Sequence, residues 1–106
     1  MSRDLTSIAR DIADSVETFN SLKDLWVKKE IDADIAETVA TAAADNVASG
    51  DDLGARSSWI KAQVEAKILR ASAKLTEAYM LKKVTEIAQQ ELQLALLKHS
   101  SNLVCY

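Results

Sequence analysis

The sequence predicts an all-α fold with no β-sheet, and three observations support this prediction. The chain has no proline and only two glycines in 106 residues, and 48% of its residues are hydrophobic. No glycine or proline occurs after Gly54. Apolar residues between Ile60 and Leu96 recur with a mean spacing of about 3.6 residues, which is the α-helical period. We therefore expect one helical domain over residues 1–106, built as a three-helix bundle or hairpin.

The first two helices are predicted from stripe and cap patterns. Helix 1 should span about residues 4–29, with Ser2 as its N-cap and Asp4 in its first turn. Its apolar stripe falls within an arc of about 80° and comprises Leu5, Ile8, Ile12, Val16, Phe19 and Trp26. Helix 2 should span about residues 33–49, because Asp32 or Asp34 can cap it and Gly50 can end it.

Residues 50–57 are predicted to form a loop, after which Ser57 or Ser58 caps a long helix 3 over about residues 59–98. An apolar tail, residues 102–106, should follow it. The tight loop would return helix 3 along helix 2, which can then cover the apolar stripe of helix 3 between about Ile60 and Leu75. Two placements of helix 1 stay open. It can fold back beside helix 2, or it can continue beyond helix 2 and pack along the rest of helix 3.

The end of helix 3 is predicted to be an association surface. A second apolar row, Ala73, Met80, Ile87 and Leu94, has a spacing of seven residues and widens the apolar arc beyond what one neighbour covers. We expect a homo-oligomer, most simply a homodimer, in which helix 3 ends pack together. The 3.6 period favours bundle packing over a strict heptad coiled coil. The predicted contact residues are Met80, Val84, Ile87, Leu94, Leu97, Leu103 and Val104.

A basic row on helix 3 suggests a different function. Arg56, Lys67, Arg70 and Lys74 share one helix face and could contact phosphates or an acidic partner. Residues 1–52 carry 12 acids and 5 bases, whereas residues 53–106 carry 4 acids and 8 bases. The basic row could therefore simply face the acidic half. Nucleic-acid binding is disfavoured by a sequence pI near 5.1 but stays an alternative. A third alternative is an acidic inhibitor or mimic that binds a basic partner.

Nothing in the sequence indicates an enzyme, a metal site or a cofactor. His99 has no orienting carboxylate near it in sequence, so its position near a helix end explains it better than catalysis does. The single cysteine, Cys105, and the absence of a signal or membrane segment predict a cytoplasmic protein. If a phage encodes it, the host cytoplasm or the virion is expected. We predict a non-enzymatic helical interaction module, such as a small adaptor, chaperone, structural subunit or inhibitor of the kind that bacteria and phages encode.

Overall fold

The computed structural model describes residues 4–50 and 52–104, and these residues form two long helices rather than three. Helix α1 spans Leu5–Gly50 and helix α2 spans Leu53–Val104. No strand occurs within these ranges, so the all-α prediction is confirmed and the three-helix prediction is wrong. Within each of the two compact units described below, a segment of α1 packs beside a segment of α2. Of the two open placements of helix 1, the structure has the second, because the predicted helix 1 continues directly into helix 2.

The break predicted between helices 1 and 2 is absent for a simple reason. Residues 30–34 contain no glycine or proline, so no residue there interrupts the helical hydrogen bonds. Asp34 does not cap a helix. Its backbone carbonyl instead accepts a hydrogen bond from Thr38 Oγ1, at 2.9 Å, inside α1. The aspartates at positions 32 and 34 thus suggested a helix N-cap, although the residues on both sides of them favour a continuous helix.

Both helices begin at an aspartate that serves as the N-cap. The Asp4 carboxylate accepts a hydrogen bond from the Ser7 backbone N–H at 2.7 Å, and the Asp52 carboxylate accepts one from the Ala55 N–H at 2.6 Å. Each carboxylate thereby satisfies one free N–H of the first turn. The predicted caps Ser57 and Ser58 lie inside α2. The predicted cap Ser2 lies outside the described residues.

Both ends of the predicted third helix are wrong, and the capping by Asp52 explains its earlier start. This helix begins at Leu53 rather than near residue 59, and it continues to Val104 rather than ending near residue 98. The predicted loop over residues 50–57 is therefore much shorter, and most of it is helical. The predicted tail over residues 102–106 is likewise helical as far as Val104. Glycine at position 54 is tolerated because it falls in the first turn of α2, where capping offsets its low helix propensity.

The two helices divide into two compact units. The turn unit is Asp24–Glu77, and the terminal unit comprises the chain up to Lys23 together with the chain from Ala78 onward. In the turn unit, one row of less exposed positions on each helix has a spacing of three and four residues, and we refer to the two rows as its seam. On α1 they are Trp26, Lys29, Ala33, Ala36, Ala40, Ala43 and Val47, and on α2 they are Ala55, Trp59, Ala62, Ala66, Leu69, Ala73 and Thr76. Six further described positions beside these rows are also partly buried, and they are Glu30, Ala44, Gln63, Arg70, Ser72 and Glu77.

Alanine dominates this seam. Ala33 and Ala73 have no exposed surface, and Ala66 is buried as well. Small side chains let two helix backbones approach closely, because no bulky group separates them. The terminal unit has a seam with larger residues, of which Ile8 and Ser15 are buried. Its other seam positions are Ile12, Phe19 and Leu22 on α1 and Met80, Lys83, Ile87, Gln90, Leu94 and Leu97 on α2.

The seam positions are alternately three and four residues apart, so their mean period is about 3.5, the heptad period of a left-handed coiled coil. The expected bundle packing of an oligomer, which rests on the 3.6 period, is a separate matter and stays a prediction. Two helices that wind around each other stay in contact only along a 3.5-residue row, since a 3.6-residue row drifts away from the contact. The 3.6-residue stripe on α2 consequently lies largely outside the seam.

Candidate functional site

The turn unit has two chemically different sides, and its helical geometry separates them. At about 100° per residue, Ile35 and Val39 lie on nearly the opposite side of α1 from Glu37. On α2 the same geometry separates Glu65 and Leu69 from Arg70 by roughly 100° or more. Ile35 and Val39 of α1 and Leu69 of α2 therefore lie away from the side of the unit that contains Glu37 and Arg70.

The aliphatic side contains two adjoining hollows. One is lined by Asp32, Ile35, Ala36, Val39, Ala62, Glu65 and Leu69. The other is lined by Ile60, Lys61, Val64, Glu65, Ile68 and Leu69. Both include Glu65 and Leu69, so these two side chains lie between the hollows. We call the five exposed aliphatic residues of the two hollows the open apolar surface, and they are Ile35, Val39, Ile60, Val64 and Ile68.

The exposure of this surface is large for aliphatic side chains. Ile68 is 62% exposed and Ile35 is 58% exposed, and the other three members are each more than half exposed. Each such side chain leaves on the order of 80 Å² of apolar area in water. The five together leave about 400 Å², which falls in the range of the largest, often functional, apolar patch of a monomeric protein. The surface is thus suited to contact with another molecule.

The opposite side centres on Arg70, which contacts three carboxylates of α1. Its Nη1 donates to Glu30 Oε2 at 2.6 Å, and its Nη2 donates to Asp34 Oδ1 at 2.5 Å. Glu37 accepts two hydrogen bonds, from Nε at 3.2 Å and from Nη2 at 2.5 Å. The planar guanidinium suits such forked contacts better than a lysine ammonium would. The three acids lie on one face because α1 is continuous through residues 30–37.

These contacts stabilise the charged forms of both partners. Hydrogen bonding from Arg70 lowers the pKa of Glu37 below its usual value. The three carboxylates raise the pKa of Arg70, with Glu37 as the largest contributor. In the terminal unit, Lys83 donates to Glu86 at 2.5 Å and lowers the pKa of that carboxyl group in the same way. The charged side therefore contains paired charges rather than a free positive field.

The predicted basic row is only partly assembled as a site. Lys67, Arg70 and Lys74 line one hollow together with Glu37. Arg70, however, is committed to Glu30, Asp34 and Glu37, so three bases here are balanced by three acids. Arg56 lies in the first turns of α2 and is exposed. Sequence reasoning named Arg70 but missed its three partners. Their spacing of four and then three residues on a continuous helix was the available signal.

The predicted association residues divide into two groups. Met80, Ile87, Leu94 and Leu97 are only partly exposed and belong to the seam of the terminal unit. Val84 is 45% exposed and lies outside that seam. For Leu103 and Val104 the structure describes the helical backbone but not the side chains. The role of all seven predicted residues in association stays a prediction. Sequence reasoning did not identify the open apolar surface. Its residues on α2 had been assigned to packing against the chain's own second helix.

Other chemistry is not assembled in the part of the chain that the structure describes. No group of three or more metal-binding side chains occurs there. His99 is exposed near the end of α2, and Cys105 lies outside the described residues. Neither helix, over its described length, includes a segment apolar enough to span a membrane.

Comparisons with protein-family models, with curated proteins and with solved structures found no match to this chain.

Proposed function

We propose that this protein is a non-enzymatic, helical interaction module that binds a protein partner through the open apolar surface of its turn unit. The observation that carries the proposal is the more than half-exposed state of Ile35, Val39, Ile60, Val64 and Ile68, which line two hollows that adjoin at Glu65 and Leu69. Exposed aliphatic surface of this size favours association, because burying it releases ordered water at no cost in polar groups.

The surface also has the layout of a contact site. Asp32, Lys61 and Glu65 line its two hollows beside the aliphatic residues. A polar rim around an apolar centre is typical of interfaces that form and dissociate. The rim charges allow the protein to select among apolar partners, since a mismatched charge opposes binding. Cytoplasmic localisation is part of this proposal and is supported by the single cysteine.

The two alternatives have weaker support. For nucleic-acid binding, the basic row would have to present free cations to phosphates, but Arg70 contacts three carboxylates. For an acidic mimic, the same contacts reduce the free negative charge of Glu30, Asp34 and Glu37. A single arginine cluster therefore weakens both alternatives, and neither gains a specific observation in its favour.

The test compares two variants in an affinity-capture experiment from cells that express the protein. Ile68→Asp places a charge in the open apolar surface, and we expect it to abolish association with any protein, whether another copy or a different chain. Lys74→Glu is the matched control, because this exposed residue on the same helix lies on the charged side. It should leave association unchanged.

The reverse pattern would contradict the proposal. If Lys74→Glu removed the captured partner and Ile68→Asp did not, the charged side would be the binding site. A nucleic acid recovered with the wild-type protein, and released by moderate salt, would then favour the first alternative. Far-UV circular dichroism should show equal helicity in both variants, since both positions are exposed.

A further inference from the structure

We propose that Ile60, Val64 and Ile68, the α2 part of the open apolar surface, bind a second copy of this chain with the two α2 helices antiparallel. This inference rests on the proposed function and adds the identity of the partner. Two features of the surface support it: the order of charged residues along its edge and its area. Both can be read from residues of the turn unit alone.

The charge order along α2 is self-complementary. Lys61 and Glu65 both line the hollow formed by Ile60, Val64 and Ile68. At about 100° per residue they lie on the same edge of that stripe. A two-fold axis perpendicular to α2 makes the helices antiparallel and brings the same edge of each copy together. If the axis lies midway between Lys61 and Glu65, each lysine faces the glutamate of the other copy.

The same axis position also suits the apolar residues. Ile60, Val64 and Ile68 are four residues apart, so they rise about 6 Å from one to the next. An axis level with residue 63 places the side chains of one copy about 3 Å above or below those of the other. The two stripes would therefore interdigitate rather than collide. A parallel arrangement would instead bring opposite edges of the two stripes together, so Lys61 and Glu65 of the two copies would not pair.

The area of the α2 stripe suits a weak dimer. Ile60, Val64 and Ile68 together expose about 240 Å², and interfaces are a little over half apolar. With its polar rim the contact would cover roughly 400 Å² per copy, which is at the low end of interface size. Ile35 and Val39 lie on α1 and outside this contact.

The test uses the intact purified chain and two charge-reversal variants. In wild-type protein, sedimentation equilibrium should show a dimer at tens of micromolar. Lys61→Glu places glutamate against Glu65 twice per dimer, and Glu65→Lys places lysine against Lys61 twice. Each variant alone should dimerise at least about tenfold more weakly than wild type. An equimolar mixture should recover the affinity as a heterodimer, since both pairs are then attractive.

Controls and contrary outcomes follow from the same design. Ile68→Asp should give a monomer of unchanged helicity. A wild-type monomer at tens of micromolar would overturn the second-copy proposal. So would a dimer that is insensitive to both charge reversals. A wild-type monomer would leave the proposed function standing if capture of another protein still depended on Ile68, whereas loss of that dependence would refute the proposed function itself.

Discussion

Replacing Ala73 with leucine tests whether the turn unit depends on close approach of its helices. Ala73 has no exposed surface and is flanked along the seam by Leu69 and Thr76. Leucine adds three carbon atoms where the packing leaves no room. Overpacking of this kind costs typically about 1–3 kcal/mol, because neighbouring side chains leave their preferred rotamers or the backbones separate.

The control for this prediction is Ala71→Leu, which makes the same chemical change two residues away. Ala71 is exposed on the same helix and in the same unit, and leucine has nearly the helix propensity of alanine. Its effect on the free energy of unfolding should stay within about 0.5 kcal/mol. The difference between the two variants therefore isolates the crowding at the seam from the change in propensity.

Urea and thermal unfolding followed by circular dichroism provide the measurement. A loss of about 2 kcal/mol should lower the midpoint temperature of a domain this size by roughly 8–10 °C. All proteins must be compared at one concentration, because association makes the midpoint concentration-dependent. If Ala73→Leu is as stable as Ala71→Leu, the helices are not closely packed at Ala73 and the reasoning from the alanine seam is refuted.

Two further predictions concern the charge cluster and the terminal unit. The hydrogen bond from Arg70 lowers the pKa of Glu37 in the folded state. The Arg70–Glu37 ion pair should therefore contribute fully to stability above the unfolded pKa near 4.5. This contribution should be lost as the pH falls through the lower folded pKa. Urea unfolding from pH 7 to pH 3 should therefore show a smaller acid-induced loss for Glu37→Gln than for wild type, and equal losses would count against the cluster. In the terminal unit, Ile87→Asp should destabilise by about 2 kcal/mol or more because it places a charge in the seam, whereas Val84→Asp should change the free energy of unfolding by less than about 1 kcal/mol. Similar unfolding curves for these two variants would show that Ile87 does not pack against α1.

The sequence was sufficient for the fold class, but it was insufficient for the number of helices. Composition and the scarcity of glycine and proline predicted an all-α chain because they report the propensity of every residue. The break near Asp32 and Asp34 was inferred from cap-forming residues alone. Such residues favour a helix start only where the preceding residues leave the helix, and here nothing upstream does so. With this composition a helix continues unless a residue interrupts it, and α1 is therefore one helix over Leu5–Gly50.

The candidate site was misjudged because α2 has two apolar rows and the sequence cannot state which one packs. The row with a 3.6-residue spacing, including Ile60, Val64 and Ile68, contains larger aliphatic residues and was assigned to the core. The row that packs in the turn unit contains mainly alanine. Choosing between them requires knowing that the partner helix offers alanine at Ala33, Ala36 and Ala40, so that both rows of small residues can meet.

The seam and the charge cluster have complementary physical roles. A seam with many small side chains distinguishes registers only weakly, because a shift by one heptad still exchanges alanine for alanine at part of it, for example Ala33 for Ala40 on α1. The contacts of Arg70 do not tolerate such a shift, since its guanidinium has to reach Glu30, Asp34 and Glu37 together. Partly exposed ion pairs contribute little to stability, yet a single buried or clustered polar contact can distinguish one register from another. The aligned register is also what places Ile35 and Val39 of α1 beside Glu65 and Leu69 of α2. By fixing the register of the two helices, the contacts of Arg70 also determine which residues of α1 and α2 line this hollow. Arg70 thus influences the proposed binding surface although it does not belong to it.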